Sequence, residues 1–281
     1  MGKHIASHLA GLRKRLDARG EEPEMPITSI PSLNKKIWGI QRGKLYVIAS
    51  RTSGGKSSFI LQIAGDIAKQ GHPVLFLSLE MDTIDLLERL LCQDQRIPNT
   101  DLLHGKISGY EDSWSDFCNN VQNIEMVITD SIGKTWDEIG NHLKNLNTKP
   151  KVVIIDHIHE IKKSGTNERE MIDEYIRRFK EMAIRHNFAG IICAQINRNS
   201  QGVDDKRPYL HQIKSSGYLE ESADFGILLH YPYQLRISKD PNKFDVFVDK
   251  NRNGRTGNIQ LHFQPSTYRF SDIVNETTQE N

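Results

Sequence analysis

The chain has 281 residues, 37% of them hydrophobic and 26% charged, which is enough for one large α/β domain or two small ones and excludes an intrinsically disordered chain. Lys and Arg number 37 against 36 Asp and Glu, so any nucleic-acid partner must be held by local patches rather than by an overall basic field. Cys92, Cys118 and Cys193 have no metal-ligand spacing, no apolar run approaches the roughly 18 residues of a membrane span, and the N-terminus has no signal-peptide core; the expectation is a soluble protein of a reducing, cytoplasmic compartment.

Taken in chain order, Ile5, Leu9, Leu12 and Leu16 recur at helical spacing and predict a helix over residues 4–18 with one narrow apolar seam. Residues 20–26, rich in Glu and Pro, read as a linker. The helix is therefore tethered, and its seam either folds back on its own domain or docks on a neighbouring subunit. From residue 27 short apolar runs alternate with helical patterns, at 45–49, 74–79, 126–129, 152–155, 190–194 and 225–231. That alternation predicts an α/β fold with a mostly parallel sheet covered by helices. Runs at 244–249, 259–263 and 268–270, with the turn signal Asn253-Gly254, predict antiparallel hairpins at the sheet edge. The organisation expected is a docking helix and linker over 1–26, one domain over 27–274 and a polar tail over 275–281.

The sharpest motif follows the first core run. Residues 50–58 read Ser-Arg-Thr-Ser-Gly-Gly-Lys-Ser-Ser, a strand passing through a glycine turn into a helix. Backbone N–H groups must come close to a phosphate chain to bind it, and Gly54 and Gly55 permit that. Ser53, Gly54, Gly55, Lys56, Ser57 and Ser58 are the candidate nucleotide cradle, with Lys56 on the β- and γ-phosphates of ATP and the Ser57 hydroxyl on Mg²⁺. Ser50 stands where the strict P-loop pattern has Gly; it is small enough to keep the turn.

In an open parallel sheet, ligands bind beyond the C-terminal ends of the strands, so polar residues there are informative. Asp156 follows four aliphatic residues and is the expected Mg²⁺ carboxylate. Glu80 follows the second run and can polarise the attacking water, although a Glu just ahead of the helix signal Asp82-Thr-Ile-Asp85 also suits the helix dipole. Gln195 has the reach of a γ-phosphate sensor. Asp130 is better explained as a helix cap, shared with Ser131 or Thr135. Lys250 and Arg252, on alternate residues of one strand end, point the same way and form a candidate pair of basic fingers for a neighbour's ATP site.

In this order the motifs resemble the motor domain of DnaB-type hexameric replicative helicases, which has the RecA-like fold. The resemblance covers about residues 27–270 and runs through Phe-Leu-Ser-Leu-Glu-Met at 76–81, Ile-Ile-Asp-His-Ile-His at 154–159, Ala-Gln-Ile-Asn-Arg at 194–198, Ile-Lys-Ser-Ser-Gly at 213–217, Ser-Ala-Asp at 222–224 and Lys-Asn-Arg-Asn-Gly at 250–254. It implies Lys56 and Ser57 as the P-loop pair, Glu80 as the water-activating carboxylate, Asp156 as the Walker-B acid, Gln195 as the phosphate sensor, and Lys250 with Arg252 as the trans-acting pair. It also implies that Lys214, Ser215 and Gly217 grip the backbone of single-stranded DNA, and that the first helix docks on the next subunit of a ring. Arg198, Lys206 and Arg207 flank a loop that would converge with its copies on the ring's channel, multiplying phosphate contacts; alone, it reads as a charged surface loop.

The departures are Ser50 and Thr52 in the P-loop, His157 and His159 where the family has an aromatic and a Gln, and a Lys214 loop less charged than usual. The family's N-terminal collar domain has no counterpart here, so primase binding does not carry over. The function expected is an ATP- and Mg²⁺-dependent, ring-forming and hexameric helicase motor that translocates on single-stranded DNA and unwinds duplex in replication, in a bacterial or phage-type setting. The rivals are a RecA-fold recombination or clock-type ATPase and an ATP-gated assembly module.

Overall fold

A computed structural model describes residues 5–17, 23–146, 148–162, 167–196, 207–213 and 217–273. A 3-10 turn at Ile5–His8 leads into α1 (Leu9–Asp17), and α2 (Pro31–Ile37) precedes the first strand, β1 (Leu45–Ser50). Then follow α3 (Lys56–Lys69), β2 (Val74–Ser78), α4 (Thr83–Gln95), α5 (Asn99–Leu103), α6 (Glu111–Gln122), β3 (Met126–Asp130), α7 (Trp136–Lys144) and β4 (Val152–Asp156). The second half holds α8 (Glu168–His186), β5 (Ala189–Gln195), α9 (Gly217–Ser222), β6 (Phe225–His230), β7 (Lys243–Asn251), β8 (Gly257–Gln264) and β9 (Arg269–Asp272). No helix among the described residues is long and apolar enough to cross a membrane.

The strands form one nine-stranded sheet in the order β3-β2-β4-β5-β1-β6-β7-β8-β9, parallel from β3 to β6 and antiparallel from β6 to β9. The central strands are buried along their whole length, which is why β1, β4 and β5 are unbroken apolar runs rather than alternating ones. Alternate residues of β1 enter opposite cores: Tyr46 and Ile48 join α3 on one face, and Leu45, Val47 and Ala49 join Phe179 of α8 on the other. Tyr46 stacks flat on Phe225 of β6 with ring centroids 4.5 Å apart. In β7 only alternate residues, Phe244, Val246 and Val248, are fully buried, the half-solvated pattern of an antiparallel extension.

Two expectations change. Packing begins before residue 27: Met25 is fully buried in the main core, and Glu24 pairs with Arg42 at 2.9 Å. Gly39 makes this possible. It holds φ +66°, and a Cβ there would lie 2.7 Å from the Met25 carbonyl oxygen and 2.8 Å from Pro23. Residues 23–26 are therefore part of the domain, not linker. Second, the cap of α7 is Thr135, in a reciprocal capping box with Glu138, while Asp130 accepts from the Ile132 N–H at 3.0 Å in a local turn. The late strands do form an antiparallel extension at the sheet edge, with β8 and β9 outside β7. The seam of the first helix is uncovered: Ile5, Leu9 and Leu12 are 80%, 60% and 51% exposed.

Candidate active site

Four strand ends build the site. Ser50 of β1 is in register with Gln195 of β5, and Ser78 of β2 with Asp156 of β4. β5 lies between β1 and β4, so the chain leaves β1 and β4 on either side of a crevice. Beyond β2, the Leu79 N–H donates to the Asp156 carbonyl at 2.7 Å and fixes where Glu80 emerges.

The glycine turn has the geometry a phosphate cradle requires. Ser53 and Gly55 adopt φ +58° and +78°, and the Gly54 N–H donates to the Arg51 carbonyl at 3.0 Å. A Cβ on Gly54 would sit 2.8 Å from that same carbonyl. Gly55 is the N-cap of α3, and no side chain caps the leading N–H groups of that helix, which leaves them for an anion. Lys56 opens the helix, reaches across β5 and pairs with Asp156; both are buried. Burial favours the neutral form of each, but their mutual attraction wins, holding the Asp156 carboxyl below its ordinary range and the Lys56 ammonium above its own. The Ser57 hydroxyl beside it lowers the Asp156 carboxyl further.

A hydroxyl beside a carboxylate is a hard-oxygen donor set and fits Mg²⁺. Mg²⁺ is ordinarily held by one or two protein oxygens and keeps waters and substrate phosphates as its other ligands; no group of three or more His, Cys, Asp and Glu among the described residues could hold a metal ion. Cys193 lies behind this pair, where burial and then Asp156 keep its thiol protonated.

The cleft in front, about 460 Å³, takes in all six residues of the expected cradle together with Glu80, Gln195 and His157. That is the size range of small-molecule pockets. Gln195 donates to the Thr52 hydroxyl, and Gln234 donates to the Thr52 carbonyl at 3.1 Å, so Thr52 ties Gln195 to the turn. The sequence reading missed the outer wall, formed by Tyr231, Phe263 and Tyr268, with the Arg89 guanidinium 5.2 Å from the Tyr268 ring centre. The aromatics of the late hairpins were the available signal. His157, noted from the sequence only as a departure, also lines the cleft, with its Nε2 3.4 Å from Glu80 Oε2.

Lys250 and Arg252 lie elsewhere. Lys250 pairs in register with Gly226, and Gly226 with Val47, so both cations sit at the opposite end of β1 from the cradle, roughly 10 Å of strand away from Ser50. They do point the same way, toward the C-terminal end of α9. Lys250 donates to the carbonyls of Glu220 and Glu221 at 2.6 and 3.0 Å, and Arg252 to that of Glu221 at 3.1 Å. Asp224 stands 3.6 Å from Arg252 and 3.9 Å from Lys180. Desolvation, then Arg252 and Lys180, lower the affinity of Lys250 for its proton.

Of the expected DNA contacts, Arg198, Lys206, Lys214 and Ser215 lie outside the described residues. Gly217 begins α9 and lines a depression shared with Lys250. Arg207 is already engaged: it pairs with Asp249 and lies 5.0 and 5.2 Å from the ring centres of Phe247 and Tyr209. Asp249 can hold it because the β6–β7 register shifts there, leaving Asp249 without a partner on β6.

A family model described as DnaB-like helicase C terminal domain matches residues 27–272. The chain is 29% identical over 261 residues to the replicative DNA helicase DnaB of Geobacillus stearothermophilus, covering 88% of this chain and 57% of the relative. The figures are the same for the replicative DNA helicase DnaC of Bacillus subtilis. The chain thus spans a little over half the length of these curated relatives. Two solved structures share the fold at 23% identity. One is described as an ATPase domain and matches with a TM-score of 0.86 over 98% of this chain and 100% of that one. The other is a DnaB-like replicative helicase described with its interactions with primase, with a TM-score of 0.85 over 96% of this chain and 69% of that one.

Proposed function

Since the chain belongs to the DnaB-like helicase C-terminal domain family, we propose that it is the ATP-hydrolysing motor of a replicative DNA helicase, working as a hexameric ring on single-stranded DNA in a bacterial or phage-type cytoplasm. The observation that carries this reading is the buried Lys56–Asp156 pair at the crevice between β1 and β4, with Ser57, Glu80 and Gln195 in the same cleft.

In this reading the turn N–H groups and Lys56 hold the phosphates, and Ser57 and Asp156 would hold Mg²⁺, which would supply charge neutralisation. Entry of the phosphates exchanges the Lys56–Asp156 contact for contacts to the nucleotide. Glu80 accepts the proton of the attacking water, and Gln195 reads the γ-phosphate. Tyr268 with Arg89 offers a flat face for the base. Lys250 and Arg252 serve the cleft of the next subunit, because they stand at the wrong end of their own sheet to serve their own. The uncovered seam of the first helix suits a groove on that same neighbour. DNA is held through Lys214, Ser215 and Gly217, together with Arg198 and Lys206. Arg207 pins the base of that region through Asp249.

The test is ATP hydrolysis with and without single-stranded DNA, beside strand displacement on a forked duplex. DNA should raise turnover several-fold and the fork should open. Hydrolysis indifferent to DNA would favour an assembly module, and DNA-stimulated hydrolysis without displacement would favour a recombinase-type ATPase.

A further inference from the structure

Glu80 is 53% exposed, two residues past the end of β2. A carboxylate that must hold a water in line with a phosphorus atom needs a fixed orientation, which a half-solvated Glu with rotatable bonds does not supply alone. The rigid group facing it is His157. This residue directly follows Asp156 and is only 5% exposed. Its ring packs edge-on against that of His159, with centroids 5.8 Å apart, and its carbonyl accepts from the Glu160 N–H at 3.0 Å. The bond from Leu79 N–H to the Asp156 carbonyl locks the two strand ends together, so the spacing between Glu80 and His157 is set by backbone.

We propose that His157 is the positioning residue of the hydrolytic site: with its proton on Nε2, it donates to Glu80 and aims the carboxylate at the attacking water. This rests on the reading of Glu80 as the water-activating group. A base oriented by a third residue is the general design of such sites. The 3.4 Å separation is long for a finished hydrogen bond, and catalytic contacts of this kind shorten in the substrate complex. Glu160, 3.7 Å from the same nitrogen, competes for the proton and keeps the ring turned to the cleft side.

The experiment measures DNA-stimulated ATP turnover and nucleotide affinity in the assembled protein. His157→Phe keeps a ring and removes the donor; His157→Asn keeps a polar group but is too short to place a donor at the Nε2 position; His157→Gln restores an N–H near it. Phe and Asn should lower kcat by about 10- to 100-fold with KM for ATP nearly unchanged, and Gln should recover most of the loss. In a Glu80→Gln background, followed by single-turnover hydrolysis, His157→Asn should cost nothing further, because the residue acts through Glu80. If Phe fails to fold, Asn and Gln carry the comparison. Full turnover in His157→Asn, equal losses in Asn and Gln, or multiplying losses with Glu80→Gln would each overturn the proposal while leaving Glu80 in its role. Normal turnover in Glu80→Gln would overturn that role and this inference with it.

Discussion

The two ends of β1 hold charge in opposite ways. At the end that runs into the glycine turn, one buried cation meets one buried carboxylate, and Lys56 and Asp156 neutralise each other out of water. At the other end, Lys250 and Arg252 lean on the last carbonyls of α9, half in solvent, with Asp224 nearby as a shared counter-charge. The first arrangement is strong and self-contained; removing either partner strands a charge in the interior. The second is weak, since exposed cations on carbonyls are easily exchanged. The proposed division, with phosphates bound at one end and cations lent from the other, rests on this asymmetry.

The largest effect should come from breaking the self-contained end. Lys56→Ala should reduce ATP turnover by at least about 100-fold in a colorimetric phosphate assay. It should also destabilise the protein, because leaving Asp156 unpaired costs about 3–5 kcal/mol, readable as a fall in thermal midpoint. Its pH dependence sharpens the point. In the wild type the folded Asp156 pKa lies below the ordinary carboxyl value of 3.8, so its stabilisation is complete above that value and lost as pH falls through the folded pKa. Without Lys56, burial dominates, and the acid-induced change in stability at this site should move to higher pH and reverse sign.

Arg252→Ala comes next. It should bind nucleotide normally yet lose about 10³-fold in the turnover of the assembled protein, as loss of a trans-acting arginine does. Mixing it with Lys56→Ala, after subunit exchange, should restore activity above the sum of the two, since some interfaces then pair an intact cradle with an intact Arg252. Activity that never exceeds that sum, measured in a ring of tethered subunits, would place Arg252 in its own subunit's chemistry.

Deleting residues 1–20 should shift the oligomer toward single subunits in sedimentation while the thermal midpoint moves little, because Ile5, Leu9 and Leu12 cover nothing in their own domain. The smallest change should be Asp224→Asn. Its oxygen can still accept from the Leu45 N–H, a contact of 2.9 Å, but loses its charge toward Arg252 and Lys180. About 1 kcal/mol of stability should go, with turnover altered far less than by Arg252→Ala.

Much of the self-contained end was legible in the sequence, and the reason is local. A buried parallel strand must be an apolar run, so the first polar residue after it is conspicuous; Glu80, Asp156 and Gln195 stand out in this way, and Lys56 is marked instead by the glycine turn ahead of it. What was not legible depends on distant partners. Met25 is core only because Gly39 lets the chain pass close to it. Arg207 reads as a free cation until Asp249, Phe247 and Tyr209 are folded around it. The aromatic wall of Tyr231, Phe263 and Tyr268 is assembled from three separate segments, and no spacing rule joins them. The placing of Lys250 and Arg252 was half visible: the sequence put them on one strand end, but the register of β6 and β7 decides which end of the sheet that is.

The same register constrains the symmetry of any assembly. Subunits that lend cations from one end of the sheet and receive them at the other are joined head to tail, a heterologous contact rather than a two-fold one. An open row of such subunits always has one cleft without a donor, whereas a closed ring has none. Turnover per subunit should then rise with completion of the ring, so that assembly itself becomes a switch for the motor, set by protein concentration before any DNA is engaged.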